Sequence, residues 1–330
     1  MNNDEKIYSL VEDIKNDIIN SVKVFPLYIG FSGGMDSTAL AYLCIDALGK
    51  ENVRLVHVIY GPYSYSKGLE NCLRTASNLD CELELIDKRC TQEKVLSHGP
   101  SCNRCTKQVK IDGVKSAIKN TGELVLTGAN KSDSWGEYGF KIMNGVYAPL
   151  LELDKVAIDK ILDYYHVERE HVKIGESLLR EGCKAKHLLK MLIVPHYHGH
   201  SVSLSNEIIL DILEQASFKA ALANVKIVGP LNSNIALINI KPLPERHVVE
   251  EIVRRISAIH SIDKVLLVER PLRLKISANP SIYRNPQARE RITEGFLSRE
   301  FAAPILCDWH ETSNSRLNTF HVVEVKQIKE

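Results

Sequence analysis

Ten residues near the start of the chain constrain its fold more than any other stretch: residues 29–38 read Ile-Gly-Phe-Ser-Gly-Gly-Met-Asp-Ser-Thr. A strand-like run at 27–31 leads into the glycines, and a helical pattern follows at 36–48. Glycines let backbone N–H groups approach an anion closely, and a helix N-terminus adds positive potential. The stretch therefore predicts a phosphate-binding loop, and the alternative is a glycine-rich turn with Asp36 as a helix cap. The expected binding residues are Ser32, Gly33, Gly34, Asp36 and Ser37, with Asp36 also a ligand of Mg²⁺.

The Gly-Lys-Ser/Thr ending of a Walker A loop is missing here. The loop instead resembles the PP-loop of the ATP pyrophosphatase superfamily. Members of that superfamily cleave ATP between the α and β phosphates and adenylate a substrate. The resemblance implies ATP and Mg²⁺ as cofactors.

Strand and helix patterns alternate through the first half of the chain. The strand candidates are 27–31, 53–59, 82–87 and 123–127, and the helix candidates are 5–22, 36–48, 66–79, 107–120 and 154–165. Such alternation indicates a parallel sheet with its ligand at the carboxyl ends of the strands. We expect an α/β PP-loop domain of the HUP-like class over 1–204, in which the basic stretch 166–204 forms a lid.

The pattern changes from residue 205 onward. Helix candidates lie at 205–222 and 246–260, and strand candidates at 234–241, 263–269, 272–277 and 320–328. This order is typical of an α+β domain of the ferredoxin-like kind. We therefore expect a smaller domain over 205–330 that serves substrate binding or oligomerisation.

Composition narrows the class of protein. The chain has 330 residues, with 42 Lys plus Arg against 41 Asp plus Glu, and this balance excludes a protein that binds polyanions nonspecifically along its whole surface. Its apolar runs are shorter than a membrane span, and no signal peptide opens the chain. We expect a cytoplasmic homo-oligomer without a membrane partner. The eight cysteines then suggest thiol or metal chemistry rather than a disulfide framework.

Three cysteines lie in basic surroundings. Cys102 and Cys105 form a Cys-x-x-Cys pair before a helix, where Arg104 and Lys107 favour thiolates. Cys183 lies far along the chain in Leu-Arg-Glu-Gly-Cys-Lys-Ala-Lys-His. Three thiolates would suffice for a 4Fe-4S cluster with one open iron. The alternatives are nucleophilic or persulfide-bearing thiols, a resolving role for Cys183, or loop cysteines without chemistry.

Two further motifs extend the resemblance. Residues 124–133 read Leu-Val-Leu-Thr-Gly-Ala-Asn-Lys-Ser-Asp, and residues 149–155 read Pro-Leu-Leu-Glu-Leu-Asp-Lys. With the cysteine pair, they resemble the sulfur-inserting branch of the superfamily, which is similar to the lactate-racemase cofactor sulfur transferases and the cluster-dependent tRNA 2-thiolation enzymes. The resemblance implies that Gly128 and Asn130 bind ATP and that Asp133 is a second Mg²⁺ ligand. Thr106 and Ala129 depart from the pattern of the branch.

We therefore expect an ATP-dependent sulfur transferase. It would adenylate a substrate oxygen and replace it with sulfur from a persulfide or sulfide, through Cys102, Cys105 and Cys183. The substrate would be a small molecule or tRNA. One alternative is an amide-forming ligase or amidotransferase of the same superfamily, whose nitrogen nucleophile would not need the thiols. The other is a nucleotide-binding sensor without turnover.

Overall fold

The computed structural model describes residues 3–118, 122–131, 140–167 and 183–328, with the side chains of residues 3 and 4 left out. The described parts of 1–59, 66–88 and 106–175 form one compact unit. Those of 60–65, 89–105 and 176–330 form a second. The second unit thus takes in three stretches that precede residue 205, where we expected the second domain to begin: 60–65, 89–105 and 176–204.

The regular elements of the described residues are numbered here in chain order. The helices are α1 (Asn3–Ser21), α2 (Met35–Leu48), α3 (Ser66–Asn78), α4 (Arg89–Leu96), α5 (Cys102–Cys105), α6 (Asp112–Lys115), α7 (Lys155–Tyr164), α8 (His200–Gln215), α9 (Arg246–Ser257), α10 (Pro280–Tyr283) and α11 (Pro286–Glu290). The strands are β1 (Leu27–Gly30), β2 (Val53–Ile59), β3 (Leu83–Asp87), β4 (Val125–Leu126), β5 (Ile142–Met143), β6 (Val146–Tyr147), β7 (Leu222–Val228), β8 (Ile235–Lys241), β9 (Lys264–Leu267), β10 (Leu272–Ala278), β11 (Ile305–Glu311) and β12 (Phe320–Gln327). Wider π-helical turns lie at Thr106–Ile111, Pro195–Gly199 and Arg291–Leu297.

The first unit is built on a parallel sheet, which confirms the predicted fold class. Among the described residues the strand order is β3-β2-β1-β4-β6-β5. Strand β1 pairs in parallel with β2 and β4, and of the described strands in this sheet only the edge strand β5 runs antiparallel to its neighbour. Leu27, Tyr28 and Ile29 of β1 are all buried, as a strand covered on both faces requires.

The apolar face of helix α1 packs into the core of the first unit and helps to stabilise it. Val11, Ile14 and Ile18 recur at helical spacing and are buried in the same cluster as Leu40 and Leu43 of α2. Because Ile18 is fully buried, its truncation to alanine is expected to cost about 2–5 kcal/mol.

The second unit carries two three-stranded sheets in its described residues, ordered β7-β8-β9 and β11-β10-β12. Each sheet contains one parallel and one antiparallel pair. The expected smaller sheets are therefore present in the second unit, but they are mixed and unlike a ferredoxin-like sheet. The reason is that α9 connects β8 to β9 as a crossover, which makes the pair parallel.

The stretch expected to form a lid, 166–204, lies partly outside the described residues. Its described part contains several buried side chains, including His187, Leu188 and Lys190. The Lys190 ammonium donates to the carbonyl oxygens of Pro230 at 2.7 Å and Ser233 at 2.8 Å. Burial lowers the pKa of Lys190 to about 8. Residues 184–192 therefore contribute to the core of the second unit.

Across the described residues, no helix has the length and hydropathy of a membrane span.

Candidate functional site

The predicted phosphate loop joins β1 to α2 in the first unit. Gly33 has a φ of +75°, a conformation that glycine adopts without strain. The Ser32 and Ser37 hydroxyl oxygens lie 3.2 Å apart, and the Ser37 hydroxyl also donates to the Gly34 carbonyl at 3.1 Å. Helix α2 begins directly after Gly34, so its first N–H groups lack intrahelical acceptors. The loop thus combines hydroxyl and backbone donors at a helix N-terminus, which is the chemistry of an anion site.

Helix α3 supports the loop from one side, which the sequence did not indicate. The Asn71 side chain donates to the Gly33 carbonyl at 2.9 Å, and Asn71 is almost fully buried. Next to it, Cys72 Sγ lies 3.2 Å from His57 Nδ1. His57 Nδ1 donates to the Phe31 carbonyl at 2.8 Å, because a carbonyl oxygen can only accept, and burial lowers the pKa of His57. These hydrogen bonds restrain the Phe31 and Gly33 carbonyl groups and so help to fix the backbone conformation of the loop.

Gly128, which follows β4, approaches the start of α2 closely. A Cβ added to Gly128 would lie 2.8 Å from the Asp36 carbonyl carbon and 3.0 Å from Asp36 Cβ. Asn130 is fully buried, and its side chain donates to the Gly128 carbonyl at 3.2 Å. The structure therefore brings Gly128 and Asn130 into the neighbourhood of the phosphate loop.

The Asp36 carboxylate is held by Lys155, the first residue of α7. Lys155 Nζ lies 2.7 Å from Asp36 Oδ1 and 2.5 Å from Asp36 Oδ2. Lys155 is part of the 149–155 motif, but sequence reasoning did not select it as a site residue. The first turn of α7 is itself fixed, because the Asp154 side chain accepts from the Ala157 N–H at 2.8 Å.

The Asp36 carboxylate also suits Mg²⁺, which prefers hard oxygen ligands. Its side chain is 27% exposed, so it is partly accessible to solvent. Asp133, the second predicted Mg²⁺ ligand, lies outside the described residues.

The three predicted thiols belong to the second unit, whereas the phosphate loop belongs to the first. Cys102 is exposed, but Cys105 is buried. Within the described residues, no group of three or more His, Cys, Asp or Glu side chains could hold a metal ion. The structure therefore does not form the predicted 4Fe-4S site, because the exposed Cys102 does not join the other two thiols in a ligand set.

A parallel sheet with this strand-loop-helix junction defines a PP-loop nucleotide-binding unit. The particular family follows from sequence comparison: a model of the NAD synthase family matches residues 7–173, and the chain belongs to that family. It is a family of adenylating enzymes within the PP-loop superfamily.

Individual relatives agree with this assignment. The chain is 29% identical over 233 residues to the NH(3)-dependent NAD(+) synthetase of Pyrococcus furiosus, with 68% of this chain and 84% of that protein covered. It is 26% identical over 179 residues to the NH(3)-dependent NAD(+) synthetase of Archaeoglobus fulgidus, with coverages of 52% and 72%. The glutamine-dependent NAD(+) synthetase of Aquifex aeolicus is 26% identical over 173 residues, and the match spans 49% of this chain but 30% of that enzyme.

A solved structure, the NH3-dependent NAD synthetase of Campylobacter jejuni in complex with the nitrate ion, has 24% identity and a TM-score of 0.40. The similarity covers 52% of this chain and 77% of that one.

The prediction of sulfur transfer is wrong. The family model and the relatives are NAD synthases and synthetases, which fit the amide-forming alternative instead. The error came from the cysteines, since a Cys-x-x-Cys pair and a distant third thiol match the sulfur-inserting branch in spacing alone. In the structure these thiols form no metal site, and a sulfur donor or tRNA partner has no further support.

Proposed function

We propose that this chain is an ATP-dependent ligase that converts a carboxylate into an amide, with ammonia as the nitrogen donor. The observation that carries the proposal is the match of the NAD synthase family to residues 7–173, the stretch that contains the phosphate loop. The ammonia-dependent relatives are matched over 84% and 72% of their length, which favours free ammonia over glutamine.

The names of the relatives also suggest the substrate class. Each forms NAD(+), whose nicotinamide group is the amide of a pyridine carboxylate. We therefore propose the pyridine carboxylate of a dinucleotide as the substrate.

In the first step a carboxylate oxygen attacks the α-phosphorus of ATP, and pyrophosphate leaves. The hydroxyls of Ser32 and Ser37 and the N–H groups at the start of α2 are suited to hold the departing phosphates, because the two hydroxyl oxygens lie 3.2 Å apart and Ser37 is in the first turn of that helix. Gly128 and Asn130 would line the same site. A Mg²⁺ ion held in part by Asp36 would neutralise phosphate charge.

Lys155 supplies a positive charge at the same place. Its ammonium balances Asp36 in the structure, at 2.5–2.7 Å. Half of the Lys155 side chain is exposed, so it has room to turn toward a phosphate oxygen when Asp36 binds a cation. We propose that Lys155 contributes to binding of the polyphosphate in this way.

In the second step ammonia attacks the acyl carbon of the adenylate, AMP leaves, and a proton is released. The thiols have no part in either step. A homo-oligomeric state stays a prediction.

A product assay tests the proposal. The purified chain is incubated with ATP, Mg²⁺, ammonium and a dinucleotide carrying a pyridine carboxylate, and the products are separated by liquid chromatography. We expect AMP, pyrophosphate and the amide in equal amounts. Formation of ADP and phosphate would contradict the proposal, and nucleotide binding without turnover would favour the sensor.

A further inference from the structure

A buried glutamine joins two of the cysteines in the second unit. The Gln92 side-chain nitrogen donates to Cys183 Sγ at 3.1 Å and to Cys105 Sγ at 3.5 Å. Since an amide nitrogen carries two hydrogens, each sulfur can receive one. The two sulfurs are therefore no more than about 7 Å apart, although their residues lie far apart in the chain.

Core packing does not explain this amide. Gln92 is fully buried, and its Oε1 has no hydrogen-bond partner among the described residues. A buried polar atom without a partner costs about 1–3 kcal/mol, so an apolar side chain would stabilise the fold better at this position. The amide instead donates one N–H to each of the two sulfurs, and such hydrogen bonds favour the thiolate over the thiol.

The surroundings of Cys183 favour the same charge state. Lys184 follows it in the chain, and its ammonium lies 2.6 Å from the Glu207 carboxylate. Burial lowers the pKa of Lys184, while the negative charges of Glu207 and of Cys183 raise it. The attraction between Lys184 and the Cys183 thiolate is mutual. Cys183 is also less buried than Cys105, so a molecule from solvent reaches it first.

We infer that Cys105 and Cys183 are a site of reversible disulfide formation by exchange with a low-molecular-weight disulfide. The Cys183 thiolate attacks one sulfur of the small disulfide, forms a mixed disulfide and releases one small thiolate. The Cys105 thiolate then attacks Cys183 Sγ and releases the second. Two protein thiols are oxidised and one small disulfide is reduced to two thiols, so the two-electron exchange balances.

The positions of Cys105 and Cys183 in the chain determine which segment the bond would enclose. Cys105 is the last residue of the second unit before residues 106–175, which belong to the first unit. Cys183 follows soon after residue 176, where the second unit resumes. The bond would close a loop of the chain that carries Gly128, Asn130 and Lys155. The inference is independent of the proposed function, because it concerns the thiols and not the nucleotide.

A Cys-x-x-Cys pair can also form a bond of its own, here Cys102 to Cys105, and peptide mapping discriminates between the two bonds. Trypsin cleaves after Arg104 and therefore separates these two cysteines. The full chain is incubated with oxidised glutathione, its remaining thiols are alkylated, and it is digested without reductant. We expect Glu-Gly-Cys-Lys, residues 181–184, linked to Cys-Thr-Lys, residues 105–107, and we expect dithiothreitol to release both peptides.

Variants make the test specific. Cys102→Ser is the matched control and should keep the bond, whereas Cys105→Ser should stop at a glutathione adduct on Cys183. Gln92→Leu, checked for folding by its melting temperature, should form the bond roughly tenfold more slowly at pH 7 and at nearly the normal rate at pH 9. A Cys102–Cys105 bond, or alkylation of both Cys105 and Cys183 after oxidation, would overturn the inference.

Discussion

Asp36 is the residue on which the proposed phosphate chemistry depends most directly. Its carboxylate combines the ion pair with Lys155 and a position in the first turn of α2. Asp36→Asn keeps the shape of the side chain but removes its charge. We expect kcat/KM for ATP to fall by about 10²–10³, because a preorganised charge at the reacting phosphates is lost.

The stability of the Asp36→Asn variant should change little, since the Asp36–Lys155 pair is partly exposed and such pairs contribute roughly 0–1 kcal/mol. Asp80→Asn is a suitable control, because Asp80 forms an exposed pair with Lys50 in the same unit. If both variants retained full activity, Asp36 would be a helix residue without a catalytic role.

A substitution at Gly128 tests the same site through the close packing of two backbone segments rather than through charge. Gly128→Ala would place a methyl group 2.8 Å from the Asp36 backbone, so α2 and the loop after β4 must separate. We expect a loss of about 1–3 kcal/mol in the free energy of unfolding, with ATP binding at least tenfold weaker.

The control for Gly128 is Gly295→Ala, since a Cβ at Gly295 meets no atom within 4 Å. Urea unfolding and ATP titration measure the two effects. Unchanged ATP affinity in a folded Gly128→Ala protein would remove Gly128 from the site.

At the scale of elements, sequence patterns located much of the first unit but not its supports. The β2 bounds agree with the prediction, and α2 differs by one residue, because alternation and apolar periodicity mark both. Helix α4 was missed because Arg-Cys-Thr-Gln-Glu-Lys-Val-Leu has no apolar stripe. That helix carries Gln92, so its hydrogen bonds to the two thiols were also beyond sequence reasoning.

Strand β7 was missed for a different reason. The helix expected over 205–222 instead spans His200–Gln215 and leaves room for the strand at Leu222–Val228. Asn224 and Lys226 interrupt the apolar pattern of β7, yet both are buried. Their polar groups find partners on distant segments, as in the contact between Lys226 Nζ and Glu300 Oε2 at 3.1 Å. Single-sequence periodicity does not reveal such pairing.

The cluster of Lys186, Lys226 and Glu300 makes the stability of the second unit sensitive to acid. Burial alone would raise the pKa of Glu300, but the ammonium groups of Lys226 and Lys186 lower it to about 2. A carboxylate with a depressed folded-state pKa stabilises the protein above its unfolded pKa of about 4.3. That stabilisation is lost as the pH falls toward 2.

Glu300→Gln should therefore be destabilised at pH 6, and its deficit relative to the natural chain should shrink by about 2 kcal/mol at pH 3. Urea unfolding at several pH values measures this difference. Glu311→Gln is the control, because Glu311 pairs with an exposed Arg284. A deficit that did not change with pH would show that the Glu300 charge is not stabilising.

At the scale of the whole molecule, the phosphate loop and the cysteines pointed to one chemistry in sequence but belong to different compact units. The PP-loop assignment succeeded because its residues are contiguous and local geometry dictates their roles. The sulfur assignment failed because Cys102, Cys105 and Cys183 depend on tertiary packing, in which Gln92 contacts two of them and Cys102 is exposed. Local motifs thus indicated the nucleotide chemistry but not the nucleophile.

The most direct test of the account is an isotope-transfer measurement on the proposed adenylation. The dinucleotide substrate is prepared with ¹⁸O in its carboxylate and incubated with the chain, ATP, Mg²⁺ and ammonium, and the AMP is analysed by mass spectrometry. Attack of the carboxylate on the α-phosphorus predicts one ¹⁸O atom in each AMP and none in pyrophosphate. AMP without ¹⁸O, or label in phosphate released with ADP, would contradict it.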